Sequence, residues 1–410
     1  MTFDELFIAE PILRAVREKG YNEPTPIQQQ AIPVVALGRD IFGIAQTGTG
    51  KTAAFAIPII QTLWEERQKQ RAAADARAQN PEQAARGEDE AGPPKRRDRR
   101  GRNHGKPREE RVLRALILTP TRELALQIDE CFTDYGKYTG LAHASVFGGV
   151  KQASQVEKLK RGLDILIATP GRLLDLHGQG YVDFDHITTF VLDEADRMLD
   201  MGFIADIRRV ISMLPTRRQT LYFSATMPDD IVRLSRNILH DPVRIEVTPA
   251  ASTVDAVDQS IFFVEKPDKK GLLIDELKRR TDRTVLVFSR TKHGADNISK
   301  ILRKAGIESA AIHGDKSQGA RQRALADFKA GRVKVMVATD IAARGIDIKE
   351  LGTVINYDLP DVVETYVHRI GRTGRAGAAG EALTFCSQDD HMMVKEIQAL
   401  VGKPIHMELH

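Results

Sequence analysis

The sequence predicts an α/β protein built from two parallel-sheet domains in tandem, and three observations predict it. Short β-rich runs alternate with helical patterns along the chain, which is how parallel sheets with crossover helices are written in sequence. Several of these runs end directly in glycine-bearing or charged segments, and in open parallel sheets ligands sit at the carboxyl ends of the strands. A length of 410 residues exceeds what one core usually serves, while 42% hydrophobic residues is ordinary for a globular chain, so two domains and a linker are expected.

Taken in order, the first series of strand-like runs is 40–45, 115–119, 164–169, 190–193 and 221–224. Small and polar residues with Pro249 make 247–257 a flexible linker, which sets a first domain at 1–246 and a second at 258–410. The second series of runs is 259–264, 285–289, 333–339, 354–357 and 381–386. From about Glu65 to Arg111 no apolar periodicity exists, and Gly92-Pro93-Pro94 leads into a run of arginines and lysines from Lys95 to Arg108. This reads as a disordered insertion in the first domain, either a solvated spacer or an electrostatic tether for nucleic-acid phosphates.

Composition excludes little but narrows the setting. The net charge of +4 and pI near 8.9 permit a polyanionic partner without requiring one. No apolar run is long enough to span a membrane, and Met1 to Glu5 lacks a secretory pattern. The two cysteines, Cys131 and Cys386, lie far apart in sequence, so a reducing cytoplasm is expected. The sequence reaches Ile405 to His410 without a basic extension, so either specificity is low or a targeting tail lies beyond residue 410.

Three motifs carry chemistry. Ala45-Gln46-Thr47-Gly48-Thr49-Gly50-Lys51-Thr52 follows a strand and opens a helix, as a phosphate-cradling loop does, although Ala45 stands where the strict pattern has its first glycine. Its backbone amides can approach phosphates, Lys51 can reach the β and γ oxygens of a triphosphate, and Thr52 can hold Mg²⁺. At the end of the run Val191-Leu192 stand Asp193 and Glu194. Enzymes with such loops need one acid for the metal and a second group for the attacking water, which gives Asp193 and Glu194 those roles. The plainer alternative is an acidic cluster favoured by a helix dipole. Far downstream, His368-Arg369-Ile370-Gly371-Arg372-Thr373-Gly374-Arg375 could supply positive charge to the transferring phosphate.

Asp193-Glu194-Ala195-Asp196 spells DEAD, and the chain resembles a DEAD-box ATP-dependent RNA helicase over nearly its whole length outside the insertion. The family's motifs stand in order: Pro24 to Gln28, the phosphate loop, Pro120-Thr121-Arg122, Gly148-Gly149, Thr169-Pro170-Gly171-Arg172, DEAD, Ser224-Ala225-Thr226, Gln318 with Arg321, Ala342 to Asp347, and His368 to Arg375. Arg197 to Phe203 and Arg290 to Ala295 look most like the bacterial RhlE-type subgroup.

The resemblance implies two RecA-like domains that close on ATP, Mg²⁺ and single-stranded RNA, with hydrolysis reopening them. Gln28 would read adenine and Tyr21 would stack on it, unless Tyr21 is a core aromatic. Asp347 would contact the ribose, and Arg372 and Arg375 would act as arginine fingers. Arg369, by its helical neighbours, suggests an ion pair or an interdomain contact instead. His368, Ser224 and Thr226 would couple the γ-phosphate to domain closure, unless they only cap and brace loops. Arg122, Gly149, Thr169, Arg172, Gln318, Arg321, Thr339 and Arg344 would face RNA phosphates and 2′-hydroxyls, with little sequence information. Two other readings remain, a DNA helicase or translocase and an ATP-gated RNA clamp that serves as a scaffold. Protein partners are unknown.

Overall fold

The computed structural model describes residues 1–46, 48–79, 111–247, 257–281, 283–343, 351–374 and 380–409. Two seven-stranded sheets, parallel in every pairing, organise the chain. The first holds β1 (Ile41–Ile44), β2 (Ala115–Leu118), β3 (His143–Val146), β4 (Ile165–Ala168), β5 (Thr189–Leu192), β6 (Gln219–Ser224) and β7 (Val243–Glu246). Their spatial order is β3-β4-β2-β5-β6-β1-β7. The second holds β8 (Val257–Phe263), β9 (Val285–Phe288), β10 (Ser309–Ile312), β11 (Val335–Ala338), β12 (Thr353–Asn356), β13 (Gly380–Cys386) and β14 (His406–Leu409), in the order β10-β11-β9-β12-β13-β8-β14.

Helices cover both faces of the first sheet, and the period-two alternation of the strands divides its core in two. Ile41, Ile117, Ile167, Val191 and Leu221 point to one side, where they meet α1 (Glu10–Glu18), α2 (Pro26–Ala36), α3 (Lys51–Gln79) and α4 (Arg122–Tyr135) through Ile12, Ile32, Phe55 and Phe132. Phe42, Leu116, Leu166, Leu192 and Tyr222 point to the other. There they meet α5 (Gln152–Lys160), α6 (Pro170–Gly178), α7 (Ala195–Asp200), α8 (Ile204–Met213) and α9 (Asp229–Ile238) through Val156, Leu173, Met198, Ile207 and Leu234.

The second sheet is built likewise. Val285, Val287, Val335, Val337 and Ile355 pack on α10 (Lys269–Lys278) and α11 (Lys292–Lys304). On the opposite face Leu286 and Met336 meet Phe328 of α12 (Gln318–Lys329) and the short α13 (Asp340–Ala343). Ile261 and Ala382 meet α14 (Val363–Ile370) and α15 (His391–Val401).

The insertion is shorter at its amino end than the missing periodicity suggests. Residues 65–79 continue α3 instead of leaving it at Glu65. Apolar spacing vanishes there because residues 68–76 are exposed, but Glu, Arg, Gln, Lys and Ala are all good helix formers. Residues 80–110, including the basic run, lie outside the described residues. Arg67 Nη1, within α3, and Arg111 Nη2, just after those residues, both donate to the Gly140 carbonyl, at 2.7 and 3.2 Å.

Candidate nucleotide and nucleic-acid sites

Strand order sorts the motifs. The loops after β1, β6 and β5, three neighbouring strands, carry the phosphate loop, Ser224-Ala225-Thr226 and the DEAD residues. Those after β3, β4 and β2, also neighbours, carry Gly149, Thr169 and Arg122.

In the phosphate loop, Ala45 N donates to Ser224 O at 3.0 Å, which extends the pairing of β1 with β6 by one residue. Gly48 and Gly50 have φ values of 92° and 94°, so the turn needs glycine. A Cβ on Gly50 would stand 2.4 Å from Gln28 Nε2. Lys51 opens α3, is buried, and donates through Nζ to Ala45 O at 2.7 Å. Gln46, Thr49 and Thr52 are partly exposed, and Thr47 lies outside the described residues.

The adenine-reading candidates border this loop. Gln28 accepts from Thr25 N at 3.0 Å and donates to Gly50 O at 3.1 Å. Its amide has two donors and two acceptor lone pairs, so one of each remains for a base edge. Tyr21 is 38% exposed and therefore not a core aromatic.

The acidic motif is built around burial. Asp193 is 2% exposed, and its Oδ1 has no hydrogen-bond partner. Desolvation pushes its carboxyl up to about 7, with the Lys51 ammonium opposing the rise. Glu194 caps α7 with a left-handed backbone, φ 54° and ψ 51°, and accepts from Arg197 Nη1 at 2.8 Å. Asp196 holds the loop after β6: its Oδ2 accepts from Ala225 N at 3.1 Å, and from Thr226 N and Thr226 Oγ1 at 2.9 Å each. Ser224 Oγ donates to Thr226 O at 2.7 Å. Asp196, the last residue of the motif, and Arg197, which follows it, were given no site role from sequence.

On the other half of this rim, Arg122 begins α4 and lies against Gly149, whose φ is 76°. A Cβ there would fall 2.1 Å from Arg122 Nη1, so the glycine gives the guanidinium its place. Thr169 precedes α6 at its amino cap without bonding the helix through its side chain. Arg172, one turn on, pairs through Nε with Asp175 at 3.5 Å, while its buried Nη1 has no hydrogen-bond partner.

In the second sheet, Gln318 and Arg321 lie in the first turn of α12 and Thr339 follows β11, all three buried; these elements also come from neighbouring strands, β10 and β11. Arg344, Asp347 and Arg375 lie outside the described residues. On and just after α14, His368 is half-buried and Arg372 buried. Arg369 makes the ion pair its neighbours suggested. Its Nε and Nη2 donate to the two oxygens of Asp340 at 2.6 and 2.7 Å, and its Nη1 donates to Asp358 O at 2.6 Å. Removing one partner of such a buried pair costs about 3–5 kcal/mol. Asp340 is a residue that sequence reasoning passed over, because its partner lies 29 positions away.

A parallel sheet with a glycine-bearing phosphate cradle at one strand end and buried carboxylates two strands away defines a P-loop type of nucleoside-triphosphate protein. The chain belongs to the DEAD/DEAH box helicase family, whose profile matches residues 25–234, followed by a helicase conserved C-terminal domain over 268–377. It is 40% identical over 96% of its length to DEAD-box ATP-dependent RNA helicase 30 of Arabidopsis thaliana, and spans 61% of that relative. It is 39% identical over 98% of its length to the ATP-dependent RNA helicase CshA of Limosilactobacillus reuteri, spanning 72% of it. Among solved structures it resembles S. cerevisiae Dbp5 bound to RNA and ADP BeF3, with a TM-score of 0.80, 29% identity, and coverage of 100% of this chain and 95% of that one. The two parallel-sheet α/β domains are therefore of the RecA-like helicase kind.

The residues fit a magnesium-bound nucleotide. A buried carboxylate oxygen without a partner is costly unless something binds it, and Asp193 Oδ1 is one. Among the described residues no cluster of three or more His, Cys, Asp or Glu could form an all-protein metal cage. The fit rests on the Asp193 oxygen, since Mg²⁺ is usually held by one or two side chains together with substrate phosphates.

Proposed function

We propose that this protein is an ATP-dependent RNA helicase, coupling ATP hydrolysis to local duplex unwinding or remodelling of RNA–protein complexes. The observation that carries the reading is the meeting of Lys51, the buried Asp193 and Glu194, and the Ser224 to Thr226 loop at the ends of three neighbouring strands. The RNA and nucleotide analogue named with Dbp5 support the same ligands here.

In this reading Lys51 meets the β and γ phosphates, the amides of residues 46–50 cradle them, and Thr52 and Asp193 hold Mg²⁺. When bound, that ion neutralises charge on the phosphate oxygens. Glu194 orients the attacking water, Gln28 and Tyr21 hold adenine, and Asp347 holds the ribose. Arg372 and Arg375 steady the charge that develops on the γ-phosphate as the domains close. His368, Ser224 and Thr226 pass the phosphate state to that closure. Arg122, Gly149, Thr169, Arg172, Gln318, Arg321, Thr339 and Arg344 grip the RNA backbone. Residues 247–257 serve as the hinge between domains 1–246 and 258–410. Cys131 and Cys386 are not joined in a disulfide, which suits a reducing cytoplasm, and no helix among the described residues is long and apolar enough to cross a membrane. The RhlE-type subgroup rests on Arg197 to Phe203 and Arg290 to Ala295.

Measuring ATP hydrolysis while RNA and DNA are titrated in parallel tests the reading. RNA-stimulated turnover with duplex separation is expected. Stimulation by DNA with directional movement would make it a DNA helicase or translocase, and stable RNA retention with negligible turnover would make it a clamp.

A further inference from the structure

Glu194, to which the proposed function gives the attacking water, does not stand alone. Its left-handed backbone, φ 54°, is one that non-glycine residues hold only where the surroundings impose it. Glu194 and Arg197 are 3% and 4% exposed, and Arg197 Nη1 donates to Glu194 Oε2 at 2.8 Å across one helical turn. The backbone N–H of Arg197 donates to Asp196 Oδ1 at 3.0 Å. The other oxygen of Asp196 accepts from Ala225 and Thr226. A hydrogen-bonded path therefore runs from the Glu194 carboxylate through Arg197 and Asp196 to the loop after β6.

We propose that Arg197 is a positioning residue: it fixes the Glu194 carboxylate and makes its placement follow the 224–226 loop. A buried ion pair is a poor device for stability, because desolvation offsets the attraction. A charge-assisted hydrogen bond from a buried guanidinium, to a residue with a strained backbone, is instead suited to holding a reactive group in place. The contribution of Arg197 to hydrolysis runs through Glu194, so it is felt while residue 194 carries the working carboxylate. This rests on the role proposed for Glu194.

The test is a set of variants, Arg197→Met, Arg197→Lys, Glu194→Gln and the double change, each assayed for RNA-stimulated kcat, KM for ATP, and melting temperature. Arg197→Met is expected to lower kcat by about 10- to 100-fold, the scale of a misplaced catalytic group, with KM within about twofold. Arg197→Lys should recover part of the loss, since it keeps the charge without the planar fork. In the Glu194→Gln background, where no unpaired carboxylate is left behind, Arg197→Met should change kcat by less than about twofold. The double variant also reports on Arg197 if Arg197→Met by itself fails to fold. Equal losses in both backgrounds, or a fall in melting temperature with kcat intact, would overturn the proposal. A wild type without RNA-stimulated turnover would overturn the proposed function and this inference together, whereas a working wild type with equal losses overturns only the inference.

Discussion

Glu194 shows what a single residue spends on function. A left-handed backbone costs about 1–2 kcal/mol for a residue with a Cβ, and Glu194 holds one at the start of α7. Glu194→Gln keeps the shape and removes the carboxylate, so ATP and RNA binding should persist while hydrolysis falls by about 10²–10⁴-fold. Lys51→Ala should instead weaken nucleotide binding. Fluorescent-nucleotide titration beside single-turnover hydrolysis separates the two outcomes. At this scale the sequence was most readable where chemistry demands adjacency, as at Asp193 and Glu194. It was least readable where a partner arrives from elsewhere: the bonds of Asp196 to Thr226, 30 residues away, and of Arg369 to Asp340 exist only after the strands are stacked.

Elements were legible in proportion to their burial. The runs recognised from sequence are ten of the fourteen strands, and the four missed, β3, β7, β10 and β14, are the two edges of each sheet. Central strands of a parallel sheet are covered on both faces and read as continuous apolar runs, whereas edges such as Val243-Arg244-Ile245-Glu246 or His406-Met407-Glu408-Leu409 mix in charge. Packing between elements carries two predictions. Arg280 donates through Nε and Nη2 to the two oxygens of Glu381 on β13, at 2.6 Å each, and this bond holds the Glu381 carboxyl below its usual 4.5. A lowered acid stabilises the fold above its unfolded pKa and loses that stabilisation as pH falls through the folded one. Urea midpoints should therefore show Glu381→Gln less stable by about 1–3 kcal/mol at pH 7, with the gap closing as pH drops below 4.5. The other prediction concerns the loop after β3. Gly149→Ala strains a φ of 76° and displaces the Arg122 guanidinium, so half-saturation by RNA should rise severalfold in ATPase titrations while turnover without RNA stays as it was.

At the scale of the whole molecule, the chain carries 60 Lys and Arg against 56 Asp and Glu, so any strong attraction for a polyanion has to be local. The densest positive run, Lys95 to Arg108, lies between Arg67 and Arg111, which both reach the Gly140 carbonyl. Because those two arginines meet, deleting residues 70–108 and closing the gap with a short connection should leave the fold and the RNA-saturated ATPase rate intact. RNA affinity should fall most at low salt, with a shallower slope of log affinity against log salt. Identical slopes for both forms would make the segment a spacer, and a collapsed saturated rate would place it in the catalytic core. The tandem architecture was readable from the alternation of runs, but the extent of α3 was not, because solvent-facing helical turns such as 68–76 leave no apolar period.

The rim of the first sheet is partitioned by strand order, with the proposed phosphate site on β5, β6 and β1 and the loops proposed to grip RNA on β3, β4 and β2. Such a partition makes the scaffold evolvable. Mutation can accumulate along one arc, lengthening a loop or exchanging a side chain, without entering the residues that handle phosphate on the other arc. Lineages descending from one engine can thereby drift toward different polymers and different tasks, each inheriting the fuel-burning half unchanged.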